Sequence, residues 1–259
     1  MPRTAIDLNA DMGEGFGPWP MGADDALLAL VSSANIACGF HAGDARIMRD
    51  TVRAAHARGV AVGAHPGFQD LAGFGRREMR IAADDAHALV LYQVGALQAM
   101  ARAADARVTH VKPHGALYTM AARDAALSDA IARAVHDADP SLVLVGLADS
   151  ATTHAGERAG LAVAHEGFAD RRYAADGTLV PRTHPDALLD DVDAAVAQAI
   201  ALATGAPVRT LGGPPRTIRC DTICLHGDGP HAVAFARAIR AALEQAGLRI
   251  AAVTRHGTT

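Results

Sequence analysis

Residues 33–44 read S-A-N-I-A-C-G-F-H-A-G-D, and this stretch decides the fold class. Ala34–Cys38 is a short run of small and apolar residues of the kind that forms a buried strand. Gly39 interrupts it, His41 follows in the turn, and Gly43-Asp44 supplies a helix start. Ala45–Arg58 then carries apolar residues at helical spacing and stops at Gly59, where a C-cap sits. A strand, a polar turn and an amphipathic helix make one β/α unit.

The unit recurs along the chain. Strands are expected at Ala5–Asn9, Ala34–Cys38, Val60–Ala64, Thr109–Lys112, Leu142–Gly146, Leu161–His165, Asp221–His226 and Ile250–Val253. Helices are expected at Asp24–Val31, Ala45–Arg58, Ala83–Ala104, Asp124–Asp137, Ala187–Ala203 and His231–Ala246. Such alternation predicts an α/β fold around a parallel sheet, either open or closed into a barrel. No linker or composition shift divides the sequence, so residues 1–259 read as a single domain. Two irregular pieces stand out. One is Gly167–Pro185; the other is Val208–Arg219, whose Gly212-Gly213-Pro214-Pro215 suggests a β-excursion. Loops of that length in a compact domain are usually functional.

Composition narrows the functional classes. Half of the 259 residues are hydrophobic and only 4% are aromatic, so the core is built from Ala, Val, Leu and Ile. A formal net charge of −4 leaves no basic footprint for nucleic acid. No apolar run is long enough to span a bilayer, and the N-terminus shows no signal h-region. Three cysteines make no disulfide framework. These features predict a soluble cytoplasmic protein with no membrane partner, and they leave a homo-oligomer open. Among the 24 basic Lys and Arg residues, Lys112 is the only lysine. A solitary lysine against that background marks a place for a compact charge or a titratable amine.

Ionisable residues gather at the carboxyl ends of the expected strands. Asp7, Asn9 and Asp11 alternate with period two and share one face of the first strand. His41 follows the second, His65 ends the third, and Lys112 with His114 ends the fourth. Glu166 and then Arg171 follow the sixth, and His226 with Asp228 ends the seventh. In a parallel α/β sheet or barrel this edge is where ligands bind.

Several chemistries compete for these residues. The only lysine lies in V-K-P-H, so no P-loop exists, and G-x-S-x-G is absent. Asp7 with two of His41, His65, His114 and His226 would make a facial metal site, although no H-x-x-x-H or H-E-x-x-H spacing supports it. Whether a metal is required stays open. Cys38 with His41 resembles a nucleophile and base, but Cys38, Cys220 and Cys224 all sit in buried-looking strands and read better as packing. Arg76 and Arg77, on a Gly-rich loop, are placed to clamp a carboxylate or phosphate.

Taken together, the motifs resemble a known family. I-D-L-N-A-D-M-G-E-G, S-S-A-N-I-A-C-G-F-H-A-G-D, G-A-H-P-G-F, G-F-G-R, H-V-K-P-H-G-A-L-Y, F-A-D-R-x-Y and C-L-H-G-D-G are similar, block by block and in order, to the LamB/YcsF family of 5-oxoprolinase A subunits. The insert F-G-P-W-P after Glu14 and the A-H-E-G form before Phe168 read as tolerated loop variation, and neither removes a motif residue. The resemblance implies a single-domain distorted TIM-like (β/α) barrel with seven or eight mostly parallel strands, similar to glycoside hydrolase and deacetylase barrels. It implies cleavage of 5-oxo-L-proline (pyroglutamate) to L-glutamate coupled to hydrolysis of ATP. ATP is then a co-substrate, with Mg²⁺, and no tightly bound cofactor is expected. Partner subunits B and C are implied as well.

On that reading the catalytic candidates are Asp7, His41, Lys112, His114 and His226, and the substrate-binding candidates are Asn9, His65, Arg76, Glu166, Arg171 and Asp228. Lys112 and Arg171 are the anion contacts, and Asp7 or His41 is the base. His114 or His226 protonates the leaving nitrogen, while Glu166 and Asp228 orient the histidines. The rivals are a stand-alone metal-dependent deacetylase or hydrolase of carbohydrate or amide substrates, and a small-molecule binding protein without chemistry.

Overall fold

The computed structural model describes residues 3–225, 232–254 and 257–258. In chain order the elements begin β1 (Ala5–Met12), α1 (Asp24–Leu28), β2 (Ser33–Ala37), α2 (Ala45–Ala57), β3 (Ala61–His65), α3 (Ala83–Arg102) and β4 (Val108–Val111). Next come α4 (Gly115–Ala121), α5 (Ala125–Ala138), β5 (Val143–Leu147), α6 (Ala151–Arg158), β6 (Ala162–Phe168), β7 (Tyr173–Ala174) and α7 (Val192–Thr204). The last are β8 (Val208–Leu211), β9 (Gly213–Arg216), β10 (Thr222–Leu225), α8 (Ala232–Gln245), β11 (Arg249–Ile250), β12 (Val253–Thr254) and β13 (Gly257–Thr258).

Strands β1 to β6 pair in sequence order, β6 pairs with β10, and β10 closes onto β1, all parallel. The result is a closed seven-stranded barrel inside a layer of helices. An eighth strand survives only as β11, which pairs with Ala5 and Ile6 of β1 just below the point where β10 takes over at Asp7. The expected strand Ile250–Val253 is therefore broken into β11 and β12, and β12 pairs antiparallel with β13. Among the described residues no helix is long and apolar enough to cross a membrane.

The sequence reason for closure lies in β1. Ile6, Leu8, Ala10 and Met12 pack outward into the main apolar core against the helices. Asp7, Asn9 and Asp11 alternate with them and project into the barrel. A barrel interior is normally filled by Val, Ile and Leu; here it is filled by polar groups that satisfy one another. Ser32 and Ser33 donate to Asp7 at 2.6 and 2.7 Å, and Thr222 also donates to it. One layer higher, Asn9 donates to Thr222 at 2.7 Å and to Glu166 at 3.1 Å, while Asn35 donates to Asn9 at 2.7 Å. His110 joins through Asn35 at 3.0 Å.

Departures from the expected elements have local causes. Helix α7 starts at Val192 rather than Ala187 because Asp191 accepts from the Ala194 amide and caps it. Helix α4 is not among the expected helices, since Pro113 and Gly115 read as a turn. Helix α6 is not among them either, because its two Thr and its Gly156 are poor helix formers. Tertiary packing overrides the propensity: a Cβ at Gly156 would meet Val163 at 2.5 Å. The two irregular pieces pair with each other, β7 alongside β8 and β8 antiparallel to β9, in a small sheet. The β-excursion at Val208–Arg219 is thus present. Asp44 caps α2 by accepting from the amides of Arg46 and Ile47, both at 2.9 Å. Cys38, Cys220 and Cys224 are buried free thiols, and burial pushes Cys38 up to about 12.

The polar interior makes a sharp steric demand at Gly63, where a Cβ would lie 2.0 Å from His110 Nε2. Gly63→Ala is expected to destabilise the protein by about 1–3 kcal/mol through overpacking. Gly95, in α3 with open space around it, is expected to gain about 0.5–1 kcal/mol on substitution by Ala. Urea denaturation of the two variants checks both signs.

Candidate active site

At the carboxyl ends of the strands the barrel opens into a cleft of about 920 Å³. Its floor carries Asp11, Lys112 and Glu166, one wall carries Glu14, His65 and His114, and loop residues 176–183 cover it from the side.

Lys112, one residue past β4, is 3% exposed. Its ammonium lies 2.9 Å from Asp11 Oδ1, 2.9 Å from Glu166 Oε1 and 3.1 Å from Asn9 Oδ1. An ammonium has three protons, and these three acceptors engage them; Cys224 Sγ is a further neighbour at 3.3 Å. Burial opposes the charge, but Asp11, Cys224 and Glu166 raise the Lys112 pKa well above its ordinary value. Burial likewise opposes ionisation of Asp11, yet His65 and Lys112 hold its carboxyl well below the usual range.

Above the lysine sit three histidines. His41 and His114 stack with centroids 3.7 Å apart and planes within 6°, and His65 meets both edge-on. His65 Nδ1 donates to the Lys112 carbonyl at 2.7 Å, and His114 Nε2 donates to the Phe74 carbonyl at 2.9 Å. His114 Nδ1 then lies 2.9 Å from His65 Nε2. Glu14 Oε1 stands 3.4 Å from His41 Nε2 and 3.6 Å from His114 Nδ1. Burial, then the neighbouring histidines, hold the pKa of His41 well below the ordinary imidazole value and that of His114 at about 3. Both rings are therefore neutral near pH 7. Gly75 makes the stack sterically possible: it is left-handed (φ +64°), and a Cβ there would come within 2.7 Å of His41 and 3.0 Å of His114.

The sequence-derived candidates divide as follows. His41, His65 and His114 converge, and Lys112, Glu166 and Asn9 converge beneath them. Asp7 does not reach His41; its carboxylate lies one layer deeper in the cage of Ser32, Ser33 and Thr222, and burial raises its pKa. Arg76 stands at the rim over the Phe74 ring, 4.9 Å from its centroid. Arg77 pairs instead with Asp70. Arg171 is buried in the cleft wall; its guanidinium donates to the Val180 carbonyl at 2.6 Å while Nε is buried with no partner among the described residues. Burial, with Arg182 nearby, lowers its pKa to about 10. His226 and Asp228 lie outside the described residues.

Two residues of the site, Asp11 and Glu14, are absent from the candidates drawn from sequence. Asp11 is visible in the period-two face it shares with Asp7 and Asn9. Glu14 is brought in by the turn at Gly13 (φ +69°), which no spacing rule reveals.

Strand-end cleft, buried cation and neutral imidazoles together have the layout of a β/α-barrel enzyme. The chain belongs to the LamB/YcsF family, whose model matches residues 6–258. It is 57% identical over 248 residues to the 5-oxoprolinase A subunit of Tolumonas auensis, covering 96% of this chain and 99% of that one. The crystal structure of the lactam utilization protein from Thermus thermophilus superposes with a TM-score of 0.91 at 46% identity, covering 96% of this chain and 99% of that one. A family 4 carbohydrate esterase from Streptomyces lividans superposes with a TM-score of 0.51 at 14% identity over 100% of this chain and 98% of that one. That likeness is one of fold alone.

Two predictions test the electrostatics. Lys112→Met leaves Asp11 and Glu166 facing each other without their cation and is expected to cost about 3–5 kcal/mol in urea unfolding. His110 is buried, and its pKa is lowered to about 3 by desolvation and by the charge of Lys112. The folded value lies below the unfolded one, so its neutral ring costs nothing at high pH and stability is lost as pH falls. Relative to His110→Gln, the native protein is expected to lose about 1.4 kcal/mol per pH unit below pH about 6.5, down to the folded value.

Proposed function

We propose that this chain is the A subunit of an ATP-dependent 5-oxoprolinase. It converts 5-oxo-L-proline to L-glutamate with hydrolysis of ATP to ADP and phosphate, in the cytoplasm and together with subunits B and C. The observation that carries the reading is the 57% identity over nearly the full length to a protein named as a 5-oxoprolinase A subunit. The cleft supports it, because it holds the groups such a reaction needs.

A five-membered lactam is a stable amide. Transfer of the ATP γ-phosphoryl group to the amide oxygen breaks the terminal phosphoanhydride bond, releases ADP and gives an imidate electrophile. Water then attacks the ring carbon, the C–N bond opens with a proton delivered to nitrogen, and phosphate leaves. In this scheme the buried guanidinium of Arg171 takes the substrate carboxylate. Lys112, whose protons are engaged, fixes the Asp11 and Glu166 carboxylates in place. His41 and His114, neutral near pH 7, are the acid and base candidates.

A second reading, a stand-alone hydrolase of carbohydrate or amide substrates, is favoured by one observation: His41, His65, His114 and Glu14 offer four donor atoms within 4.8 Å of one another.

Glutamate release from 5-oxoproline distinguishes the two. Under the proposal, release requires ATP and the partner subunits. Release by this chain alone without ATP supports the second reading. In the intact complex, Lys112→Arg and His114→Ala are expected to lower glutamate formation by on the order of 100-fold or more; full activity in both would remove the cleft from the reaction.

A further inference from the structure

The tautomers of two histidines carry an inference that stands whichever reaction the cleft performs. His65 Nδ1 lies 2.7 Å from the Lys112 carbonyl, and a carbonyl only accepts, so Nδ1 holds a proton and in the neutral ring Nε2 is bare. His114 Nε2 lies 2.9 Å from the Phe74 carbonyl, so Nε2 holds the proton and Nδ1 is bare. The two bare nitrogens face each other at 2.9 Å. Two lone pairs at that distance repel, and the pair persists only with a cation between or beside them.

A proton would need those two atoms and no others. Here two further donors converge on the same point. Glu14 Oε1 is 3.6 Å from His114 Nδ1 and 3.4 Å from His41 Nε2. The four ligand atoms lie within 4.8 Å of one another. Donors at about 2.0–2.1 Å from a tetrahedral ion stand about 3.3 Å apart, a spacing that the observed pairs straddle. Each of the two bare nitrogens also belongs to a ring anchored by a backbone carbonyl through its other nitrogen, the arrangement that fixes and strengthens metal-ligating imidazoles. His41 is 1% exposed, His65 1% and His114 5%, so the donors are held by packing.

We propose that Glu14, His41, His65 and His114 form a binding site for one first-row divalent transition-metal ion. Three imidazole nitrogens and one carboxylate oxygen select an ion of borderline softness such as Zn²⁺ over Mg²⁺ or Ca²⁺, which take all-oxygen sites. Glu14, His65 and His114 line the cleft, so the ion faces the place where a substrate carbonyl or a water would sit. There it supplies Lewis-acid polarisation. Asp11, whose Oδ2 is 3.3 Å from His65 Nε2, stands beside it.

The test uses the full chain, dialysed against chelator and titrated with Zn²⁺ by calorimetry and with Co²⁺ by visible spectroscopy. One ion per chain is expected, with the d–d bands of a four- or five-coordinate nitrogen-ligated Co²⁺. His65→Ala and Glu14→Gln are expected to weaken binding by more than the roughly 10–100-fold that loss of an outer hydrogen-bond partner costs. His87→Ala, at the surface ion pair with Asp137, is expected to leave binding unchanged. Far-UV circular dichroism establishes that each variant is folded. Where His65→Ala fails to fold, ¹⁵N-detected histidine NMR of the native protein with one equivalent of Zn²⁺ gives an independent answer. Neutral Nδ1–H in His65 and Nε2–H in His114 support the site. A shared proton between the two rings, or no stoichiometric Zn²⁺ or Co²⁺ binding, overturns it, as does a cobalt spectrum that survives Glu14→Gln and His65→Ala unchanged.

Discussion

One buried ammonium ties the barrel together. Lys112, at the end of β4, reaches Asn9 and Asp11 of β1, Glu166 of β6 and Cys224 of β10. Removing a charge from water costs several kcal/mol, and the interior returns that only when every donor and acceptor is matched. The match here is close: three protons meet two carboxylates and one amide oxygen. A guanidinium is planar and larger, with five donors in a fixed fork, and it would not fit a pocket built around a compact charge. That accounts for the one lysine in a chain that otherwise uses arginine.

The polar interior follows from the same constraint. Once Lys112 is inside, Asn9 is turned by it, Asn35 and His110 are turned by Asn9, and Thr222 links that layer to the caged Asp7 below. Glycines then appear where rings must approach backbone, at Gly63 under His110 and at Gly75 beside His41 and His114. Above the lysine, burial keeps the His41 and His114 rings neutral at the pH where Asp11 is ionised. The site therefore holds fixed charge below and bare nitrogens above, with an open cleft alongside.

Much of this is legible in the sequence because strand periodicity and strand-end clustering are direct consequences of backbone geometry. The run from Ala34, the alternation in β1 and the solitary Lys112 each point to the right place. What periodicity does not encode is height along the barrel axis. Asp7 and Asp11 share a face, but β1 pairs Asp7 with Thr222 and Asp11 with Asn35, so only Asp11 rises to the cleft. Glu14 depends on a turn rather than a period. Of the adjacent Arg76 and Arg77, only the fold reveals that one faces the cleft rim and the other is held by Asp70. Helices α4 and α6 are hidden because packing, not propensity, forms them.

On the proposed function, substrate lies in the cleft between Arg171 and the histidines, above the ammonium that organises both. A crystal structure of the protein with 5-oxo-L-proline bound tests this most directly. Density for the lactam is expected in the cleft, with its carboxylate against Arg171 and its ring carbonyl toward Glu14, His65 and His114. A ligand seated elsewhere on the chain, or in the cleft with no contact to Arg171 or the histidines, would contradict it.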